Sequence, residues 1–191
     1  MRTNALFFLT QYFFFYLDVG LCLQPTSDPP LIDVPTYSLA TKDISGKTGM
    51  NILTYATPIS IRPDRIWSLG LFKGTVAHEN FAKTGKGVLQ LLSTDHAKLV
   101  RLLGGKSGKD IDKKAECEKL GMPWHSIDEE LPELLPGCCH YLRLTRVGDL
   151  VDCGSHELAI CRVESMFVSI HYNEDDSTER EKLQTSTLRD L

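Results

Sequence analysis

Short apolar runs separated by turn residues fill the stretch from Gly49 to Leu92 and constrain the fold more than any other part of the chain. The run Met50–Leu53 ends in the sequence Thr-Tyr-Ala-Thr-Pro, where small and hydroxylic residues precede a proline that fixes a turn. Ile66–Leu71 alternates Trp and Leu on one face with Ser and Gly on the other, a period of two that is typical of a half-buried strand. This stretch therefore predicts a β-rich domain.

A short helix follows the second of these runs almost at once. Thr75 is a favourable N-cap, and Glu79 lies near the positive end of the helix dipole. Gly85 stands at the usual C′ position, so we predict a helix over Val76–Lys83. Lys73, a glycine and a hydroxyl at the start of this helix predict a phosphate site, because free backbone N–H groups point outward there. The alternative is an ordinary capped helix whose lysine is solvated.

The remaining segments extend the same pattern. We interpret Leu31–Thr48 as a lead-in segment with a short edge strand at best, and Met122–Pro136 as an irregular excursion over the surface. Apolar stripes predict two further helices, one ended by Gly104-Gly105 and one over Asp110–Leu120. Further strands are predicted over Cys139–Arg146, Leu150–Asp152, Glu157–Val163 and Met166–Ile170. Many short strands with a few helices between them predict a mainly-β fold, an antiparallel barrel with helical insertions.

The composition bounds the function. A chain of 191 residues, 42% hydrophobic and 24% charged, predicts one globular domain with a sizeable core. A net charge of −4 and the lack of a basic stripe disfavour a nucleic-acid-binding protein. No serine lies in a G-x-S-x-G sequence, which disfavours a serine hydrolase. Gly105-Lys106-Ser107 has the form of a P-loop end, but Val100 occupies the position of the first glycine, so we reject a nucleoside triphosphate site.

The first residues differ from everything after them. Arg2 precedes the apolar block Ala5–Leu17, and a proline-rich polar spacer follows. The block is short for a bilayer span but fits the apolar region of a signal peptide, so we predict a targeting segment over residues 1–24 and no stable membrane span. Such a segment implies the secretory route or an organelle, a plastid included. The alternative is an N-terminal helix that docks on the barrel of a cytoplasmic protein. Residues 25–48 are then the lead-in, and 49–191 the domain.

Cysteines and histidines give no sign of a metal or disulfide framework. Six cysteines are present, one of them in the predicted targeting segment. The odd number of the others and the lack of CxxC pairs argue against both a disulfide framework and a zinc site. We interpret them as small buried residues of a reducing compartment. The six histidines show no HxxxH or HExxH spacing, so we predict no metal site.

Four segments, ILTYATPISI, WSLGLFKGT, HENF and GSHELAICRV, occur in this order between Gly49 and Val163. Their order and spacing resemble the flavin reductase-like, FMN-binding split-barrel family. The resemblance implies an antiparallel, Greek-key-like split β-barrel with FMN held at a homodimer interface. It also implies a flavin phosphate near the loop before the first helix. Many members of this family pass a hydride from NADH or NADPH to the flavin and on to a small-molecule acceptor.

The resemblance assigns cofactor contacts to particular residues. It implies phosphate contacts by Lys73, Gly74 and Thr75, with His78 and Asn80 beside them. It also implies that the flavin ring faces Thr54, Tyr55, Ala56 and Thr57, where N–H groups and a hydroxyl would stabilise negative charge on the reduced ring. The alternative for this second segment is an ordinary strand end with turn residues.

The resemblance also points to His156 as a catalytic residue. The sequence Gly154-Ser155-His156 matches a Gly-x-His stretch of many flavin reductases, in which the histidine lies close to the nicotinamide and the flavin. An acidic residue is usual where Ser155 stands, and Tyr55 is bulky for its position, so both depart from the family pattern. The alternative for His156 is a surface turn histidine bonded to the backbone.

Two functions are consistent with these residues, and a third is weaker. The first is an FMN-dependent oxidoreductase that passes hydride from NAD(P)H to flavin and on to an acceptor. The second is a split-barrel protein that binds FMN without turnover, which Tyr55 and Ser155 favour. The third is a barrel that has lost flavin and serves as an interaction module.

Overall fold

The computed structural model describes residues 27, 30, 32–169 and 181–188. The eight strands are β1 (Tyr37–Lys42), β2 (Thr48–Leu53), β3 (Ala56–Ser60), β4 (Ile66–Phe72), β5 (Lys86–Leu91), β6 (His140–Arg146), β7 (Val151–Cys153) and β8 (His156–Val168). The helices are α1 (Val76–Thr84), α2 (Val100–Gly105) and α3 (Lys113–Lys119), with 3₁₀ helices at Thr94–Leu99 and Ser186–Leu188. The predicted targeting segment lies outside the described residues. Within the described ranges, no helix combines the length and the apolarity needed to cross a membrane.

One antiparallel sheet contains all eight strands, in the order β2-β1-β5-β6-β8-β4-β3, with β7 paired to β8. β2 and β3 stand at opposite ends of this order, yet only Thr54 and Tyr55 connect them. A link of that length reaches about 11 Å at most, so the sheet curls until its two ends approach each other. The curled sheet confirms the predicted fold class, a mainly-β split barrel with helical insertions. We call the opening between the two ends the split.

β1 is a central strand between β2 and β5, so the prediction of an edge strand at best within Leu31–Thr48 is wrong. Five of its six residues are buried, although the strand carries polar side chains. Ser38 Oγ accepts a hydrogen bond from Gln90 Nε2 at 2.8 Å, and Thr41 Oγ1 donates one to a carbonyl of β2 at 3.3 Å. Buried polar groups with partners are tolerated. Because these residues are polar, the strand lacks the apolar pattern on which the sequence prediction depended.

Two other strands differ from the sequence prediction. β3 begins at Ala56, inside the segment that we predicted as a turn. β8 is one strand of 13 residues where the pattern predicts two. Glu164 is an extra residue in β8 opposite the step from Arg143 to Leu144 in β6. Such a bulge shifts the alternation by one residue, and the shift explains why the pattern breaks there.

The helices follow their caps closely. α1 confirms the predicted helix, with Thr75 as N-cap and Gly85 at φ 65° as its left-handed C-terminal residue. α3 begins at Lys113, later than predicted, because the Asp112 side chain accepts hydrogen bonds from the N–H groups of Lys114 and Ala115. The segment predicted as one helix before Gly104 is a 3₁₀ helix that continues into α2.

Apolar side chains pack on both faces of the sheet. Val88 and Leu89 are neighbours on β5 and therefore point to opposite faces. Leu89 belongs to the barrel interior together with Phe81 of α1, whereas Val88 belongs to a second cluster beneath α2 and α3. Because both faces of the central strands are covered, the positions of β2, β4 and α1 around the split are fixed from both sides.

Candidate functional site

The loop Lys73-Gly74-Thr75 joins the end of β4 to the start of α1, and we call it the Lys-Gly-Thr loop. Thr75 Oγ1 accepts the N–H of His78 at 3.2 Å and donates to the carbonyl of Phe72 at 3.2 Å, so its hydroxyl fixes the turn and the helix together. Gly74 has φ 81°, a conformation that favours glycine. A Cβ at Gly74 would meet no atom within 4 Å, so this side of the loop is open.

Lys73 ties this loop to the hairpin of β7 and β8. Its Nζ lies 2.8 Å from Asp152 Oδ1, and its backbone N–H donates to the carbonyl of Ser155 at 3.1 Å. The hydrogen bond from the Lys73 side chain, with a second from the N–H of Gly154, holds the pKa of Asp152 below its ordinary value. Asp152 is largely exposed, so solvent screens this ion pair and an incoming anion can replace the carboxylate.

His78 lies beneath the loop with both ring nitrogens engaged. Its Nε2 is 2.6 Å from Glu157 Oε2, and its Nδ1 lies 3.4 Å from the backbone N of Gly74. A backbone N–H can only donate, so Nδ1 acts as acceptor and Nε2 carries the proton that is donated to Glu157. His78 therefore positions the loop from below, and its ring offers no further nitrogen to a ligand in this arrangement.

Asn80 is placed on another face of α1. It is 6% exposed, and its Nδ2 has no hydrogen-bond partner among the described residues. A Cβ at Gly49 would come within 3.0 Å of that nitrogen, so the amide packs against the first residues of β2. It lines a cavity of about 570 Å³ that extends towards Lys113 and Trp124. The structure thus brings Lys73, Gly74, Thr75 and His78 together and leaves Asn80 apart from them.

The segment Thr54–Thr57 lies at the edge of the split. Thr54 and Tyr55 form the link between β2 and β3, and Ala56 and Thr57 begin β3 opposite Leu69 and Ser68 of β4. The carbonyl of Tyr55 accepts the N–H of Gly70 at 2.8 Å. β2 and the Lys-Gly-Thr loop approach each other here, because Asn51, Leu53, Thr75 and His78 line one crevice of about 20 Å³. That crevice holds at most a water molecule, so a larger ligand has to lie on the open surface above it.

His156 belongs to an aromatic group beside this segment. Its ring centroid lies 5.2 Å from that of Tyr55 and 5.3 Å from that of Phe72, both in edge-on geometry. Ser155 Oγ is 2.9 Å from His156 Nδ1. Residues 156 and 157 are consecutive in a strand and point to opposite faces. His156 therefore lies beside Tyr55 on one face of β8, and Glu157 bonds to His78 on the other face.

Three residues of this site were missed by the sequence reasoning: Asp152, Glu157 and Phe72. Asp152 and Glu157 reach the Lys-Gly-Thr loop from a hairpin about 80 residues further along the chain, and no local spacing signals such contacts. The sequence held one indication for Phe72, which directly precedes Lys73 at the end of an alternating strand. Among the described residues, no group of three or more His, Cys, Asp or Glu side chains is placed to hold a metal ion.

Comparisons with known proteins agree with the fold. The family model described as "Flavin reductase like domain" matches residues 31–183. The chain is similar to the crystal structure of flavoredoxin from Methanosarcina acetivorans, with a TM-score of 0.69 and 14% identity over 86% of each chain. A comparison with curated protein sequences found no match.

Two further solved structures share the fold. An FMN-binding protein from Thermus thermophilus, with bound 1-cyclohex-2-enone, has a TM-score of 0.62 and 16% identity over 76% of this chain and 80% of that one. The styrene monooxygenase flavin reductase of Pseudomonas putida S12 has a TM-score of 0.59 and 17% identity over 72% of this chain and 82% of that one. At these identities the likeness concerns the fold.

Proposed function

The chain belongs to the flavin reductase-like domain family, and we propose that it is an oxidoreductase that binds FMN across the split and accepts hydride from NADH or NADPH. The acceptor is a small molecule, such as a free flavin or a quinone. The proposal is supported by the fold, by the family, and by FMN-binding proteins and flavin reductases among the structures of similar fold.

The observation that carries the proposal is the open Lys-Gly-Thr loop at the start of α1. The first backbone N–H groups of a helix have no partner within the helix, and Thr75 satisfies only that of His78. The N–H groups of Thr75 and Val76 and the Lys73 ammonium are donors of the kind that a phosphate dianion requires. The Thr75 hydroxyl would join them by turning its proton from the Phe72 carbonyl to the phosphate. We infer that the FMN phosphate replaces Asp152 as the partner of Lys73.

The protein's share of the chemistry is binding and orientation. FMN, when bound, would supply the two-electron redox step. Thr54, Tyr55, Ala56 and Thr57 border the surface above the crevice and would face the ring. His78 and Glu157 keep the loop in the shape that receives the phosphate, and His156 is the candidate for contact with the nicotinamide.

We further propose that the working form is a homodimer. Exposed apolar side chains border the split and continue along β8, among them Ile59, Ile61, Met166, Phe167 and Val168. Groups of exposed apolar residues on a folded domain commonly mark an interface. A second copy would cover this surface and provide the other wall that a ligand on the open split needs.

A binding protein without turnover is the second candidate, because the Tyr55 ring lies against His156. Anaerobic addition of NADH to the FMN-loaded protein separates the two functions. Loss of the oxidised flavin absorbance within seconds supports the oxidoreductase. A spectrum that stays oxidised supports the binding protein.

The decisive test of the cofactor uses the full chain mixed with FMN, followed by gel filtration and a visible spectrum. We expect flavin bands that elute with protein of dimer size. The double variant Lys73→Ala, Thr75→Ala should raise the Kd for FMN by at least about tenfold, because each hydrogen bond to a charged group contributes about 1.5–3 kcal/mol. Lys83→Ala removes an exposed lysine from the other end of α1 and is the matched control. Colourless protein, or equal Kd values for the double variant and the control, would contradict the FMN site.

Residues 1–24 lie outside the described residues, and their role is a separate proposal. We propose that they direct the chain to the secretory route or to an organelle such as a plastid. A fluorescent fusion with and without these residues tests this proposal. Diffuse cytoplasmic fluorescence of both fusions would overturn it.

A further inference from the structure

Three aromatic rings form a group on the surface above the split. Tyr55 is 64% exposed and Phe72 54% exposed, and the half-buried His156 ring lies between them. Ring centroids 5.2 and 5.3 Å apart are within the usual contact range for aromatic pairs. The His156 ring is therefore in edge-on contact with two larger rings, and the group remains open to solvent.

Gly70 fixes the position of the Tyr55 side chain. A Cβ at Gly70 would lie 2.9 Å from Tyr55 Cβ and 3.4 Å from Tyr55 Cδ2, so the phenol base rests directly on the backbone of β4. The N–H of Gly70 also donates to the carbonyl of Tyr55 at 2.8 Å. Any other residue at position 70 would displace the ring. Tyr55 is thus held from below by Gly70 and at its edge by His156.

We propose that Tyr55 is a specificity-determining residue, whose ring restricts the access of the flat nicotinamide of NADH or NADPH to the surface beside His156. This inference rests on the proposed function and narrows it. Hydride transfer from a dihydronicotinamide requires its ring to lie in contact with the flavin, so that one carbon delivers two electrons and a proton together. A donor that delivers electrons singly and leaves protons to solvent has no such requirement. Tyr55 therefore slows reduction by NADH or NADPH and leaves reduction by small one-electron donors unchanged.

Anaerobic stopped-flow reduction of the FMN-loaded full chain tests the inference, with NADH and with dithionite as two separate reductants. Dithionite reacts through its small SO₂ radical anion, which gives one electron at a time. Tyr55→Ser opens the surface and should raise the NADH rate by at least about tenfold, which corresponds to about 1.4 kcal/mol of activation free energy. Tyr55→Trp enlarges the ring and should lower the NADH rate. The dithionite rate should follow neither change. Ile44→Ser, at an exposed residue of the turn between β1 and β2, is the control for removing an exposed apolar side chain.

A second variant keeps the inference falsifiable if Tyr55→Ser does not fold. Gly70→Ala keeps the Tyr55 side chain but places a Cβ 2.9 Å from Tyr55 Cβ, so Tyr55 has to shift and the NADH rate should also rise. An NADH rate that stays the same or falls in both variants would overturn the inference. The inference would also be overturned if Tyr55→Ser changed the NADH and dithionite rates equally. A shift of this variant from dimer to monomer in gel filtration would overturn it as well. Failure of the wild-type chain to bind FMN would instead overturn the proposed function itself.

Discussion

The crevice at the split lies between the Lys-Gly-Thr loop with α1, which we call the α1 wall, and β2, which we call the β2 wall. The two walls are held by different kinds of contact. On the α1 wall, the Thr75 hydroxyl caps the helix by accepting the N–H of His78, three residues further on. The N–H of Gly74 donates to the His78 ring, four residues further on. On the β2 wall, Met50 and Asn51 are held by Lys113, which is 63 and 62 residues away. The turn and the helix start of the first wall are set by near neighbours, to which β7 and β8 add Asp152 and Glu157. The second wall depends on a buried cation from another helix.

On the β2 wall, the buried position of Lys113 destabilises the charged form of its side chain. Its side chain is buried, with the residue 7% exposed, and its Nζ donates to Leu103 O at 2.5 Å, Met50 O at 3.2 Å and Asn51 Oδ1 at 3.3 Å. All three ammonium protons thus have acceptors, yet none of the three acceptors is a carboxylate. Desolvation therefore lowers the pKa of Lys113 from 10.5 to about 8, against the opposing charge effect of Cys117. The β2 wall relies on a charge that the folded state disfavours.

The largest expected effect is a pH dependence of stability that belongs to Lys113. Below about pH 8 both folded and unfolded chains carry the proton, so this group adds no slope. Between about 8 and 10.5 the unfolded chain binds more protons, so the free energy of unfolding gains a contribution that rises with pH. By pH 9.5 the gain should reach about 2 kcal/mol. Urea denaturation of wild type and Lys113→Met at several pH values measures it as a difference between the two proteins.

Wild type has to be compared with Lys113→Met because buried thiols change the free energy of unfolding in the opposite direction as the pH rises. Burial raises the pKa of Cys117, and raises that of Cys161 to about 12. These thiols therefore lower the free energy of unfolding as the pH rises above the ordinary pKa of a thiol. The Cys161 contribution is common to wild type and variant and cancels. Cys117 is coupled to Lys113, so its contribution enters the difference, with the same sign as that of Lys113. A difference between the two proteins that stays flat from about pH 7 to 9.5 would contradict the desolvated lysine.

The contrast between the walls also explains how far the sequence could predict this molecule. α1, its caps and the Lys-Gly-Thr loop were predicted because each contact lies within a few residues. β1 was missed because Ser38 and Thr41 are polar, and only the fold supplies their partners. Asp152 and Glu157 were missed for the same reason, since a hairpin distant in sequence brings them to the loop. Tyr55 was recognised as bulky, but only the structure shows that Gly70 seats it against His156.

A smaller effect is expected on the α1 wall, from the N-cap. Thr75→Ala removes the oxygen that accepts the N–H of His78, and loss of such a cap costs about 1 kcal/mol. Thr75→Ser keeps the hydroxyl and should restore most of this stability. Urea denaturation without FMN makes the measurement, so that ligand binding does not enter. Equal stability of Thr75→Ala and Thr75→Ser would show that this wall does not depend on its local cap.

The smallest effect is expected for Glu157→Gln, which separates the geometry of the hydrogen bond from its charge. His78 donates from Nε2, so the carboxylate is needed as an acceptor. Glu157→Gln offers an amide oxygen in the same place and should change the free energy of unfolding by less than about 0.5 kcal/mol. Glu157→Leu leaves the His78 N–H without its partner and should cost about 1 kcal/mol. Nitrogen-15 NMR of the imidazole should report a protonated Nε2 in both wild type and Glu157→Gln. A protonated Nδ1 in either protein would mean that Gly74 does not donate to His78. The α1 wall would then lose one of its two local contacts, that between Gly74 and His78.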